Sequence, residues 1–306
     1  MPTLQQFRYL VAIAETLHFR RAAELTHVTQ PTLSGQLREL EERLGAQLVE
    51  RSRSKVILTP VGQEVAARAQ LILRDVQDIM EVAKGGYSLF SGTIRVGVPQ
   101  SLGPYLLPHF LPELHRSYPD LKLYLREGMP HALLNWLDDG HLDLLFFPLP
   151  VTGADFRNVR LFREPLWIVA APEHPLAERE IVERTDLEHE TVLSLERGHR
   201  LHDQVRNLCD EFGAHLAMDY EGTSLDTLRQ MVAMGMGITF APALYVRSEV
   251  MRDNQVVARQ LRRPQPSRMI GMVWRRHSSR QDEFLTLAAL IRGVLRETVP
   301  EIEVIE

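Results

Sequence analysis

The sequence predicts an α/β protein in two parts. A helical N-terminal module with one short hairpin leads through a single long helix into a region of alternating strands and helices. Three observations carry this. Leu33, Leu37, Leu40 and Leu44 step by 4, 3 and 4, the pattern of a helix with one apolar face. Val65, Ala69, Ile72, Val76, Ile79 and Ala83 step by 4, 3, 4, 3 and 4, a heptad seam. From Thr93 onward short apolar strands alternate with amphipathic helices, which implies mainly parallel pairing.

With 306 residues, 44% hydrophobic and 25% charged, the chain has the composition of a globular protein and the length of two or three domains. No stretch has the length and apolarity of a membrane span. The N-terminus lacks a basic region before its apolar residues, so no signal peptide is expected and a cytoplasmic location follows. The net charge is −5, but residues 1–60 carry 8 basic against 6 acidic side chains, +2, which leaves −7 for the rest. Only the N-terminal module has a basic footprint. Cys209 is the one cysteine, which excludes an intrachain disulfide and a cysteine-based metal site within one chain. Neither metal-ligand spacing among the histidines nor a phosphate-binding loop is present. No metal and no cofactor are expected.

Residues 4–17 predict the first helix, with Leu4, Phe7, Leu10, Val11 and Ala14 on its apolar side. Phe19–Leu25 predicts a second, whose Ala22 and Ala23 are small enough to let another helix cross closely. Thr26–Thr29 is then the turn of a helix-turn-helix. Thr29 can cap the third helix, Pro31 falls in its first turn, and Gly45 stops it. Away from the leucines, this helix carries Gln30, Thr32, Ser34, Gln36 and Arg38. Those amides, hydroxyls and guanidinium pair with base edges and phosphates. Spacing alone fits a plain amphipathic helix; the polar face, preceded by Arg20 and Arg21, favours DNA. Residues 47–59 predict a hairpin with Arg51, Arg53 and Lys55 at its tip, suited to phosphates, although a solvated turn would look alike. Thr59–Pro60 opens the long helix, to about residue 84, whose seam suits pairing with a second copy; the alternative is packing on the chain's own core. Residues 85–92 are a glycine-rich hinge. Strands follow at TIRVGV, LKLYLRE and LDLLFFPL, separated by the helices PYLLPHFLPELHRSYP and HALLNWLDDG. PLWIVAAP begins a second such unit, which continues through TVLSL, AMDYEG and GITFAP and their helices. SRMIGMVWRR and the helix EFLTLAALIRGVL end the chain.

The stretch FRRAAELTHVTQPTLSGQLRELEERLG resembles the winged helix-turn-helix of LysR-type transcriptional regulators. The resemblance extends over essentially the whole chain. Through GPYLLPHFLPELH, RGHRLHDQVRNLCDEFGA and TSLDTLRQMVAMGMGITFAPAL it is most similar to the OxyR-type peroxide regulators. It implies a DNA-binding domain over 1–60, with DNA contacts at Arg20, Arg21, Thr29, Gln30, Pro31, Thr32, Ser34, Gln36, Arg38, Arg51, Arg53 and Lys55. A linker and dimerisation helix over 60–84 and a hinge over 85–92 follow. The effector domain, 93–306, is expected to hold two Rossmann-like subdomains similar to periplasmic binding proteins. Subdomain I is 93–164 with 268–306, subdomain II is 165–267, and an effector binds in the cleft between them. The implied partners are double-stranded promoter DNA, a second copy in a homodimer or homotetramer, and RNA polymerase where the protein activates; no membrane is involved.

The sequence departs from the OxyR pattern at the sensor. Regulators of that type carry a peroxidatic cysteine directly after a Gly-His pair and a resolving cysteine nine residues later. Here Gly198-His199 is followed by Arg200, and Cys209 stands at the resolving position. Ser101 keeps one hydroxyl, Asp203 matches the family's acidic residue, and Pro130 replaces a typical threonine. Cys209 shares an apolar helix side with Val205 and Phe212, which favours an inert thiol over a one-cysteine redox sensor. Arg200 has two readings. With Ser101, His199, Asp203, Thr223 and Ser224 it forms a pocket for a small anionic effector, the helix N-terminus at Thr223-Ser224 adding free N–H groups. Alternatively it pairs with Asp203 and locks its loop. The expected function is a DNA-binding regulator switched by a small ligand; the alternative is peroxide sensing through Cys209. An enzyme is disfavoured, because no nucleophile–base constellation stands at recognisable spacing.

Overall fold

The computed structural model describes residues 1–51, 56–83, 90 and 92–306. It divides into two compact units near residue 88. The N-terminal unit contains α1 (Leu4–Thr16), α2 (Phe19–Leu25), α3 (Gln30–Leu44), the hairpin β1 (Val49–Arg51) and β2 (Val56–Leu58), and α4 (Pro60–Ala83). Leu10 and Ile13 of α1, Ala22 and Ala23 of α2, and Leu33, Leu37 and Leu40 of α3 meet in one core with Leu48. Two faces differ from the sequence expectation. In α1 the buried positions are Gln6, Tyr9, Leu10, Ala12 and Ile13, so Leu4 is exposed and Phe7, Val11 and Ala14 lie at the rim. Leu44 is 39% exposed, because α3 outruns the helices it packs on.

The hairpin is fastened to α3 by Glu41, whose carboxylate accepts from Leu48 N (2.8 Å) and Val49 N (3.1 Å). Thr59 caps α4: its hydroxyl accepts from Gly62 N at 2.9 Å. Gly62 is required by this junction, since a Cβ there would lie 1.9 Å from the Leu48 carbonyl oxygen. The hairpin tip with Arg53 and Lys55, and most of the expected hinge (85–89 and 91), lie outside the described residues.

The second unit begins with β3 (Gly92–Val98), α5 (Gly103–Ser117), β4 (Leu121–Glu127), α6 (Pro130–Asp138) and β5 (Leu144–Leu149). The long β6 (Phe156–Ala170) leads to β7 (Ile181–Val182), β8 (Thr191–Leu195), α7 (Arg200–Phe212), β9 (His215–Gly222), α8 (Leu225–Ala233), β10 (Ile238–Pro242), α9 (Ala243–Ser248) and β11 (Val257–Leu261). β12 (Ser267–Arg275), α10 (Gln281–Thr298) and β13 (Glu303–Val304) complete it. The main strand order is β4-β3-β5-β12-β6-β10-β8-β9. Pairing is parallel on the flanks, β4-β3-β5 and β10-β8-β9, and antiparallel at every contact with β6 and β12. The expectation of mainly parallel pairing is therefore corrected to a mixed sheet. The reason is topological: β6 and β12 run through the middle in opposite directions and both lobes hang on them. The first half of β6 pairs with β12 and β13, the second half with β10 and β11.

A bulge sits where Ile270 faces Phe162 and Gly271 faces Arg160, leaving Leu161 as the extra residue of β6. An extra residue reverses the side-chain alternation of a strand. Hence Leu161 and Phe162 are both buried, while Arg160 and Arg163 both face outward.

Candidate functional site

The helix-turn-helix exposes one turn of polar groups. Thr29 caps α3 by accepting from Thr32 N at 3.4 Å, and the two threonine hydroxyls lie 2.8 Å apart. Gln30, Pro31, Thr32 and Arg38 are exposed, and Ser34 is half-buried. Helical spacing sets Pro31, Gly35 and Arg38 opposite the buried leucines, and a Cβ at Gly35 would meet nothing within 4 Å. Arg20 and Arg21 are exposed on α2, with Arg20 paired to Glu24 at 3.2 Å. Gln36 faces inward: its Oε1 accepts from the buried Gln6 of α1 at 3.3 Å and its amide donates to Glu39 at 3.2 Å. It braces α3 on α1 rather than belonging to the outward turn. Arg51 contributes backbone to β1; its side chain, like Arg53 and Lys55, lies outside what is described. His18, which the sequence reading passed over, caps α2 by accepting from Arg21 N at 3.4 Å.

In the second unit the residues expected to form one effector pocket are distributed over three environments. Ser101 belongs to a buried ionic cluster. Arg268 of β12 donates to the Ser101 hydroxyl (3.2 Å) and carbonyl (2.9 Å) and to Glu164 of β6 (2.8 Å). The other Glu164 oxygen accepts from Leu244 N at 2.9 Å. Ser224 caps α8 by accepting from Thr227 N at 3.2 Å, and Thr223 beside it is exposed. His199 is buried, and its Nε2 has no hydrogen-bond partner among the described residues. Burial holds its imidazole below the ordinary histidine range, with Glu196 opposing and His202 assisting.

Arg200 donates from Nη1 to the Pro150 carbonyl at 2.9 Å and lies over the Phe147 ring. Asp203 faces Arg206 at 3.7 Å. The loop is thus held by a backbone carbonyl of the β5–β6 connection, and no Arg200–Asp203 pair forms. Arg200 and Asp203 line a cavity of about 780 Å³, together with Asn158, Arg160 and Arg163 of β6 and Arg268 of β12. Ser101, His199, Thr223 and Ser224 do not line it. The β6 arginines escaped the sequence reading because no motif marks them. The available signal was three arginines, 157, 160 and 163, spaced three apart within one strand.

Cys209 is buried at 2% exposure, between Val205 and Phe212 on α7. Burial, aided by Asp210, pushes its thiol up to about 11. Among the described residues no three His, Cys, Asp or Glu side chains are grouped to hold a metal ion, and no helix is long and apolar enough to cross a membrane.

A capped helix-turn-helix with an outward polar turn, followed by a two-lobed α/β unit strung on two shared strands, defines a DNA-binding regulator with a sensory region. Residues 4–63 match the bacterial regulatory helix-turn-helix of the lysR family, and residues 88–296 match the LysR substrate binding domain. The chain belongs to the LysR family of transcriptional regulators. It is 44% identical to the DNA-binding transcriptional dual regulator OxyR of Escherichia coli K12, over 95% of both chains. Its structure is similar to a full-length OxyR from Pseudomonas aeruginosa bearing a cysteine-to-aspartate substitution, with a TM-score of 0.81 and 37% identity over 96% of each chain. A Corynebacterium glutamicum OxyR cysteine-to-serine mutant with hydrogen peroxide bound gives 0.66 and 35%, over 97% of this chain and 95% of that one.

Proposed function

We propose that this OxyR-like regulator acts in the cytoplasm on dyad-symmetric promoter DNA, and that a small anionic effector, rather than a dithiol switch, sets its state. The supporting observation is Cys209. It is the only cysteine of the chain, it is buried, and its thiol is pushed up to about 11. A peroxide switch of the OxyR type needs a thiolate to attack and a second thiol to trap the sulfenic acid. Arg200, at the place the resemblance gives to the attacking cysteine, is a guanidinium and cannot attack.

DNA is read by the outward turn of α3. Gln30, Thr32, Ser34 and Arg38 are the candidates for base contacts, and Arg20, Arg21 and the hairpin arginines for phosphates. Two copies pair through α4, where Ile72 and Ile79 are 40% and 65% exposed in the single chain. In a promoter-bound dimer or tetramer an activating form would also meet RNA polymerase. No enzymatic activity is assigned.

The test is a promoter reporter in cells exposed to peroxide, with the wild-type chain and Cys209→Ser side by side. An output indifferent to peroxide in both supports the effector reading. A wild-type response that Cys209→Ser abolishes would replace it with one-cysteine sensing.

A further inference from the structure

The cavity beside α7 gathers positive charge in a part of the chain that is otherwise acidic. Its lining carries Arg160, Arg163, Arg200 and Arg268 against Asp203 alone, a balance of +3, while residues 61–306 sum to −7. Two of the four arginines are already neutralised. Arg268 is paired with Glu164 at 2.8 Å and Arg163 meets Glu303 at 3.4 Å. Arg160 and Arg200 have no carboxylate partner among the described residues. Guanidinium groups brought into one concavity from two elements repel each other, and the fold keeps them there by the β6 bulge and by the Arg200–Pro150 bond. An ordinary solvated arginine needs neither device. Bulges are enriched beside binding sites because they re-aim side chains.

We infer that this groove binds a small organic dianion, and that the ligand clamps α7 onto β6. The inference rests on the effector reading above and specifies its site and ligand class. The volume, about 780 Å³, is that of a small-molecule site and exceeds what an inorganic ion fills. The walls are of two kinds. Guanidinium forks of Arg160, Arg163 and Arg200, with the amides of Asn158 and Asn207, suit bidentate oxyanions. The Pro148–Val151 segment, to which Arg200 is bonded, is apolar and suits a short hydrocarbon skeleton. Dicarboxylates and organic phosphates share this chemistry. One anionic group seated between Arg160 and Arg200 would bridge β6 to the first turn of α7. That helix is otherwise tied to β12 by Gln204, which donates to the Ser267 carbonyl at 2.9 Å. The ligand thereby favours one setting of α7 over another.

The experiment uses the full-length protein, at constant ionic strength. Thermal denaturation and calorimetric titration are run with succinate, phthalate, glycerol 3-phosphate and inorganic phosphate, each at up to about 10 mM, beside acetate and glycerol as a monoanion and a neutral control. At least one organic dianion should raise the wild-type midpoint and titrate to saturation, with acetate and glycerol inert. The carboxylate and phosphate arms then identify which source the site takes. Arg160→Gln should weaken that binding roughly tenfold or more and leave the unliganded midpoint unchanged. Arg163→Gln, which also gives up the exposed Glu303 pair, should weaken it in the same sense, whereas Arg184→Gln should bind like wild type. Binding that survives Arg160→Gln with Arg163→Gln puts the ligand elsewhere and overturns the groove, with the effector reading intact. A wild type that answers to none of the dianions overturns the ligand class and the groove together. The effector reading itself falls only on the Cys209-dependent peroxide response described above.

Discussion

Burial acts on Cys209 and on His199 through the same solvation cost, and it limits stability at opposite ends of the pH scale. The folded thiol keeps its proton to about 11, whereas the unfolded one releases it near 9.0. Between those values the unfolded chain binds fewer protons than the folded one, so stability falls as pH rises. The loss attributable to this one thiol is at most about 2–3 kcal/mol. Tyr105 and Tyr245, also raised chiefly by burial, add to it further up the scale. Denaturant titrations from pH 8 to 11 should show a shallower decline for Cys209→Ser than for wild type. His199 is lowered when folded, so below about 6.5 the unfolded chain takes up a proton that the folded one refuses. Stability there is lost as pH falls, His109 contributing in the same sense. His199→Asn should flatten the acid limb in the same titration. The burial of Cys209 was legible in the sequence, because Val205, Cys209 and Phe212 share one helix side. The surroundings of Arg200 were not, because its partner carbonyl is fifty residues away in a connection with no motif.

Along α3, one residue opposes the helix it sits in. Gly35 is exposed on the outward face with open space around it, so its backbone freedom weakens α3 with no packing gain inside the chain. Gly35→Ala should stabilise the free protein by about 0.5–1 kcal/mol, read as a higher thermal midpoint. If this face enters the major groove, the same variant loses affinity for its promoter, and binding isotherms on the cognate site would show it. Gln30→Ala should relax sequence preference by about 1–3 kcal/mol, whereas Arg20→Ala should weaken all sequences alike and lower the salt slope. Isotherms unchanged by these substitutions would remove α3 from the groove. For α4, Ile72→Asp places like charges across the proposed seam, and a 1–90 fragment bearing it should sediment as a monomer where the parent fragment is a dimer. Heptad spacing is what proposes this seam, because α4 keeps one period along its length. In the single chain Val65 packs on the unit's own core and Ala69 is buried, so the seam is proposed for the exposed part around Ile72 and Ile79. The apolar side of α1 was misassigned around Leu4 because Gln6 is buried against Gln36, and a buried amide is invisible to a hydrophobic pattern.

At the level of the whole molecule, the ion pair of Arg268 and Glu164 fastens β12, β6, the Ser101 loop and α9 at one buried point. Glu164→Gln leaves a buried guanidinium without its counter-charge and should cost about 3–5 kcal/mol, measured by chemical denaturation. The double variant with Arg268→Met should cost less than the sum of the singles. Alternation of strands and helices after Thr93 made the two lobes readable, since each flank is built of local β-α-β units. The mixed sheet, the bulge and the basic groove were not readable. They arise where β6 and β12 pair, over about a hundred residues of separation, and no local pattern encodes such a register.

That pairing also sets an order of events on the ribosome. α1–α3 and the hairpin are contiguous, so they can pack as soon as they emerge. The first lobe cannot: β5 exposes its LLFFPL edge until β12 arrives, and β13 follows later still. At roughly 5–20 residues per second, β5 waits several seconds or longer for its partner. An apolar, uncharged strand left unpaired that long is a template for aggregation. A chain stopped at residue 266 should therefore go to inclusion bodies or to a chaperone. If such a chain accumulated in soluble, protease-resistant form, β12 would be unnecessary for closing the first lobe.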